Sequence, residues 1–237
     1  FEMKKSYLFT LLGAAVLSLS SMSAMAADEV VLQVGYANNP GEPFDLGCQK
    51  WKELIEEKSG GSFKIELYPS QQLGSKDDVM DMMVAGEPIA TLTDGAFYYH
   101  RGIKDMGIVF APFLFNSWEE AFALNNSPWY KEQAKLVEEN AMLKIIGTDW
   151  RYGARHTLTT KPVKSLKDFK GLKIRVPTNM IQVKGFEVLG ATPTPMSLGE
   201  VYTSIQQGTI DGQENPYKNI VSNNVQEVQK YVVETNH

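Results

Sequence analysis

The residues of this chain best placed to do chemistry are arginines near the ends of strands. In Leu172-Lys173-Ile174-Arg175-Val176-Pro177, a period of two sets Leu172, Ile174 and Val176 on one face and Arg175 on the other. Pro177 halts the strand, so the guanidinium stands near its carboxyl end. There it can grip a carboxylate by two parallel hydrogen bonds in a fixed plane. A structural ion pair at the sheet edge fits the same position equally well. Arg155 opens another strand after Tyr152-Gly153-Ala154, with Arg151 four residues before it; one of these two reads as an exposed surface residue. Gly212-Gln213-Glu214-Asn215-Pro216 runs from strand to turn. Pro216 keeps Asn215 extended, its amide free to reach a ligand or to close its own turn.

Other chemistries lack their residues. G-x-S-x-G, P-loop, G-x-G-x-x-G and H-E-x-x-H patterns are absent, and His100, His156 and His237 show no metal-site spacing. The chain is expected to be a non-enzyme that needs neither metal nor cofactor. Glu56-Glu57 and Asp77-Asp78 are adjacent on helices, point in different directions and read as solvated. A composition of 43% hydrophobic and 22% charged residues is that of a globular protein, and a net charge of -5 argues against nucleic acid as partner.

The elements that must position these residues begin after a leader. Met3-Lys4-Lys5, an apolar run from Tyr7 to Leu19 and Ala24-Met25-Ala26 form a basic, apolar and A-x-A series, so residues 1–26 read as a cleaved secretory signal peptide. No later run is long enough to span a bilayer, and the expected location is free in a bacterial periplasm. The only cysteine, Cys48, cannot form an intrachain disulfide, and the spacing Phe44-x3-Cys48-x2-Trp51-x2-Leu54-Ile55 buries it on a helix face.

Strands are expected at Val30–Tyr36, Phe63–Tyr68 and Pro88–Leu92, with helices from Pro43 to the Gly60-Gly61 stop and from the Ser75 cap through Ala85. Helices near Trp118–Leu124 and Pro128–Glu139 lead to a strand at Met142–Gly147. A second series holds strands near Arg155–Thr160, Leu172–Val176, Thr192–Met196 and Tyr231–Glu234, with helices over Asn179–Leu189 and over Leu198–Gln207 behind the Ser197–Glu200 capping pair. Alternating strands and helices predict an α/β fold. The break between the two series falls at Asp149–Tyr152, giving lobes of residues 27–152 and 153–237. Ligands of such folds bind beyond the carboxyl ends of strands and in clefts between lobes.

Several long motifs then stand in fixed order: Tyr68-Pro69-x3-Gln72-Leu73-Gly74, Ala111-Pro112-Phe113-Leu114-Phe115, Gly171-Leu172-Lys173-Ile174-Arg175-Val176-Pro177, Gly190-Ala191-Thr192-Pro193-Thr194-Pro195-Met196, Glu200-Val201-Tyr202, Asp211-Gly212-Gln213-Glu214-Asn215-Pro216 and Val225-Gln226-Glu227-Val228-Gln229-Lys230-Tyr231, ending in Thr235-Asn236-His237. Over essentially the whole chain beyond the leader, this resembles the extracytoplasmic solute-binding subunit of TRAP transporters, the DctP-like family. The resemblance implies a two-lobed, hinged, periplasmic-binding-protein-like α/β fold that closes on an organic anion in its interdomain cleft. It would hand that anion to a sodium-driven membrane permease. Arg175 matches the family arginine that salt-bridges the ligand carboxylate, Arg155 a second ligand-contacting arginine and Asn215 the ligand-contacting asparagine. Asn38 is carried over as a polar contact from the first lobe, with Asp94, Tyr98, Trp150, Arg151 and Tyr202 as further cleft residues.

Family ligands include C4-dicarboxylates, sugar acids and smaller hydroxy or keto acids. The aromatic and amide content near the expected cleft, Trp150, Tyr152, Tyr202 and Asn215, leans toward a hydroxylated sugar acid. A periplasmic module presenting a bound carboxylate to a receptor kinase is the alternative reading. Family members continue past the Thr-Asn-His segment and return to the first lobe, so a chain ending at His237 is expected to lack that return segment and to bind ligand poorly by itself.

Overall fold

The computed structural model describes residues 29–237, so the leader read at 1–26 lies outside the described residues. Strands β1 (Val30–Gly35), β2 (Phe63–Tyr68) and β3 (Ile89–Thr91) form a parallel sheet in the order β2-β1-β3. Parallel neighbours need crossovers, and α1 (Pro43–Lys58) and α2 (Lys76–Val84) supply them. Proline opens α1 where its missing N–H costs nothing. Cys48 is fully buried, and with Trp51 and Ile55 it packs on Val34, Tyr36 and Ile65. Leu54 lies beside that contact row and stays exposed, while Phe44 turns toward the cleft. The Ser75 cap forms as a reciprocal box: its hydroxyl accepts from the Asp78 N–H, and the Asp78 carboxylate accepts from the Ser75 N–H at 2.8 Å.

Helices α3 (Gly95–Tyr98), α4 (Trp118–Asn125) and α5 (Pro128–Ala141) follow, and Phe97, Tyr98, Met106, Val137 and Leu143 pack with Met80 of α2 into a second core. The expected strand at Met142–Gly147 does not form. Met142, at φ 53°, ends α5 in the left-handed region. Leu143 then points inward while Met142 and Ile146 are exposed. The alternation that mimics a strand is present, but among the described residues no neighbouring strand pairs with it.

The second sheet has the order β6-β5-β7-β4-β8, from β4 (His156–Thr159), β5 (Lys173–Val176), β6 (Thr192–Pro195), β7 (Gly212–Asn215) and β8 (Tyr231–Val233). Strand β5 runs parallel to β6 and β7, and β4 antiparallel to β7 and β8. One face packs Ile174 and Val176 with Phe169, Phe186 and Ala191, beneath α6 (Met180–Val188). The other packs Leu158 with Ile210, from the loop before β7, and with Val201, Ile205 and Ile220, from α7 (Val201–Gln206) and α8 (Tyr217–Ser222). Each fully buried Ile or Leu contributes about 1.5–3 kcal/mol to holding these layers together. The expected helix from Leu198 begins instead as a 3-10 turn, Leu198–Glu200, with its Ser197–Glu200 capping box intact. The protein is thus a two-lobed α/β fold. Among the described residues no helix is long and apolar enough to cross a membrane.

Candidate functional site

The carboxyl ends of β5 and β7 bring the chemistry together. Register places Arg175 opposite Thr194 of β6 and Gln213 of β7. Helices cover both faces of this sheet, so Arg175 is buried, only 3% exposed. Its Nε and Nη2 both donate to the main-chain carbonyl of Met196, at 3.0 and 2.8 Å. Among the described residues no carboxylate lies within ion-pair distance of it. Burial disfavours the charge and pulls its pKa down to about 10, against the opposing field of Glu214. A buried guanidinium held by one carbonyl and facing a cavity is an unmatched cation, and the partner that relieves its desolvation cost is an anion.

Arg155 is differently placed. It precedes β4, whose first residue His156 pairs with Asn215, and this register drops the guanidinium onto Glu214. Nε donates to Glu214 Oε2, and Nη2 donates to Glu214 Oε1 at 2.9 Å, to the Glu214 carbonyl at 3.0 Å and to Asn215 Oδ1 at 3.0 Å. Burial opposes its charge, but the Glu214 carboxylate more than offsets that and pushes its pKa up. Burial likewise opposes the charge on Glu214, yet Arg155 and then His237 hold its pKa below the usual carboxylate range. The Asn215 amide is not free: Oδ1 accepts from Arg155, and Nδ2 donates to Gln213 Oε1 at 2.7 Å. Gly153, at φ 110°, makes the turn into this segment, and a Cβ there would lie 3.6 Å from Pro216. The backbone angle therefore favours glycine more than the available space does.

Arg155, Arg175 and Asn215 line one cavity of about 990 Å³ between the lobes, together with Asn38, Asp94, Tyr98 and Trp150. Asn38 is buried and donates to Glu42 Oε2 at 2.7 Å. Tyr98 reaches the wall from the second core. Asp94 caps α3 by accepting from the Ala96 N–H at 3.0 Å. Trp150 meets Phe44 edge-on at 5.7 Å, lying so close to α1 that a Cβ on Gly47 would sit 2.6 Å from its ring. The structure removes two expected residues from the cleft. Trp150 and Tyr152 face it, and the alternation of the extended chain turns Arg151 outward, over the rings of Trp118 and Phe122 at 5.3 and 5.2 Å. Tyr202, on α7, points away and donates to Glu227 at 3.1 Å.

Sequence reasoning overlooked Lys76, Thr178, Gln182 and His237, which also line the cavity beside the expected Tyr152, and Glu214, the buried counter-ion beneath it. Lys76 and Thr178 directly follow strongly signalled elements, a capping serine and the Pro177 strand end, and that adjacency was an available signal. Asp77, read as solvated, accepts from Thr178 Oγ1 at 2.5 Å across the cleft mouth, and Gln71 Oε1 accepts from the Gly199 N–H at 2.9 Å. Among the described residues no group of His, Cys, Asp or Glu is arranged to hold a metal ion.

Two α/β lobes around a cleft with an unmatched buried guanidinium define a binding protein for small anions. The model of the DctP family, described as bacterial extracellular solute-binding protein, family 7, matches residues 34–237, and the chain belongs to that family. It is similar to a TRAP periplasmic solute-binding protein of Ochrobacterium anthropi solved with bound L-fuconate, at 40% identity and TM-score 0.82, over 86% of this chain and 67% of that one. It is also similar to one from Roseobacter denitrificans solved with bound L-galactonate, at 30% identity and TM-score 0.83, over 89% of this chain and 69% of that one. A C4-dicarboxylate-binding periplasmic protein of Rhodobacter capsulatus is 27% identical over 96% of this chain and 68% of its own length. The chain thus spans about two thirds of the length of these relatives.

Proposed function

We propose that this protein captures a small organic acid in the periplasm without altering it and delivers it to a sodium-driven TRAP permease. The ligand carboxylate docks on Arg175. The observation that carries this reading is the Arg175 guanidinium itself, buried yet bound only to the Met196 carbonyl. Arg155 and Asn215 shape the anion site from behind, their polar groups already engaged by Glu214 and Gln213. Asn38, Asp94, Tyr98 and Trp150 contribute the opposite wall, and the lobes divide near residues 152 and 153. The ligands bound in the relatives, L-fuconate and L-galactonate, support a sugar acid, and the dicarboxylate-binding relative keeps C4 acids in the trial set.

The test is a thermal-shift screen of the chain as its gene encodes it, freed of residues 1–26, against aldonates, uronates, dicarboxylates and small keto acids. A ligand at a thousand times its dissociation constant stabilises by about 4 kcal/mol. A shift within one chemical class that vanishes in Arg175→Ala upholds the reading. A cooperative transition that no organic acid moves rejects it.

A further inference from the structure

Opposite Arg175, the same cavity presents a second pair of charges. Lys76 opens α2 and Asp94 precedes α3; their Nζ and Oδ2 lie 3.8 Å apart, and both residues line the cavity. The ammonium also sits 4.1 Å over the Phe97 ring, which fixes its approach from below. A lysine in the first turn of a helix works against the helix dipole, and no part of the α2 cap needs it. Such a local conflict is the mark of a side chain kept for a site. Asp94 divides its two oxygens: Oδ1 is committed to the Ala96 N–H, and Oδ2 remains beside Lys76.

The wall facing Arg175 therefore offers one cationic donor and one anionic acceptor, side by side and neutral together. A hydroxyl both donates and accepts, so neighbouring hydroxyls of a polyol chain satisfy both groups at once. A second carboxylate can use only the ammonium, and it must lie against the Asp94 oxygen with no proton between them, a built-in repulsion. We propose that the Lys76–Asp94 pair is the specificity determinant of this cleft, selecting a monocarboxylate with a hydroxylated tail, an aldonate, over a dicarboxylate of similar length. This rests on the carboxylate docking at Arg175.

Calorimetric titration with galactonate, malate and the tail-less acid lactate tests it on the wild type, Asp94→Asn, Lys76→Gln and Arg175→Ala. Asparagine also caps helices, so Asp94→Asn keeps α3 while leaving Lys76 uncompensated. The wild type is expected to prefer galactonate to malate, and Asp94→Asn to shrink that preference by about tenfold or more. Lys76→Gln is expected to weaken galactonate while sparing lactate. Wild-type preference for malate, or an unchanged galactonate-to-malate ratio in a folded Asp94→Asn protein, overturns the proposal. Arg175→Ala that binds all three acids like the wild type instead defeats the docking reading beneath it, a different and separable result.

Discussion

Arg155 and Glu214 form a clasped, buried ion pair whose carboxylate also accepts from the Gln182 amide at 2.7 Å and lies 3.3 Å from His237 Nε2. Because this pair is closed on itself, the neighbouring Arg175 is left as the open cation of the cleft.

Breaking the clasp strands a buried charge, which costs about 3–5 kcal/mol. Glu214→Gln should therefore lose that much in denaturant unfolding at pH 7. The folded pKa of Glu214 is depressed, so its stabilisation is present above the unfolded value near ~4.3 and is lost as pH falls through the folded value. The gap in melting temperature between wild type and Glu214→Gln should accordingly be widest at neutral pH and narrow below about pH 4. A gap that is constant with pH would contradict the pairing.

Cys48 behaves in the opposite sense. Burial first, and then the nearby Asp45 charge, push its thiol from 9.0 up to about 12. The neutral thiol thus favours the fold below about pH 9, and that contribution fades as pH climbs from about 9 toward about 12. Melting temperature should fall across this window less steeply in Cys48→Ala than in the wild type. The native thiol should also resist a disulfide reagent at pH 8 and react on unfolding; rapid native labelling would refute its burial.

The Gln71–Gly199 and Asp77–Thr178 hydrogen bonds join the lobes at the cleft mouth. Each is worth roughly 0.5–1.5 kcal/mol, so Thr178→Val or Gln71→Ala should speed ligand release by about 3–10-fold with little change in capture. Gly199→Ala should act on the same bond to a similar extent, because its Cβ would sit 2.5 Å from Gln71 Oε1, the movable end of a flexible side chain, and push it aside. Stopped-flow fluorescence would report these rates, and unchanged release in all three variants would show that the bonds do not hold the mouth.

At Arg175, alanine should abolish carboxylate binding, and lysine should weaken it as well, since a point charge lacks the planar fork. Truncating one partner of a buried charge pair costs about 2–5 kcal/mol, or roughly 30–5,000-fold in affinity. Equilibrium titration with whichever acid the screen yields would measure this.

Arg175 was legible in the sequence because its strand carries a clean period of two and a proline stop, both local signals. The capping boxes at Ser75 and Ser197 were legible for the same reason. Met142–Gly147 misled because alternation reports which side chains turn inward, and not whether a neighbouring strand exists to pair with. The choice between Arg151 and Arg155 could not be made from spacing, since it depends on the register of β4 against β7. Tyr202 failed because its hydroxyl finds Glu227, 25 positions away in the chain. Lys76 went unnoticed because a lysine near a helix start resembles any solvated one until the second lobe is brought across from it.

Met196 steers the Arg175 fork with its backbone oxygen rather than its side chain. An oxygen common to every amino acid cannot be deleted by a point mutation, so the aim of the fork is insulated from genetic drift at position 196. On the proposed docking of a carboxylate at Arg175, the residues that meet the rest of the ligand could be exchanged with that grip kept, which is a physical route for one scaffold to diversify its diet of acids.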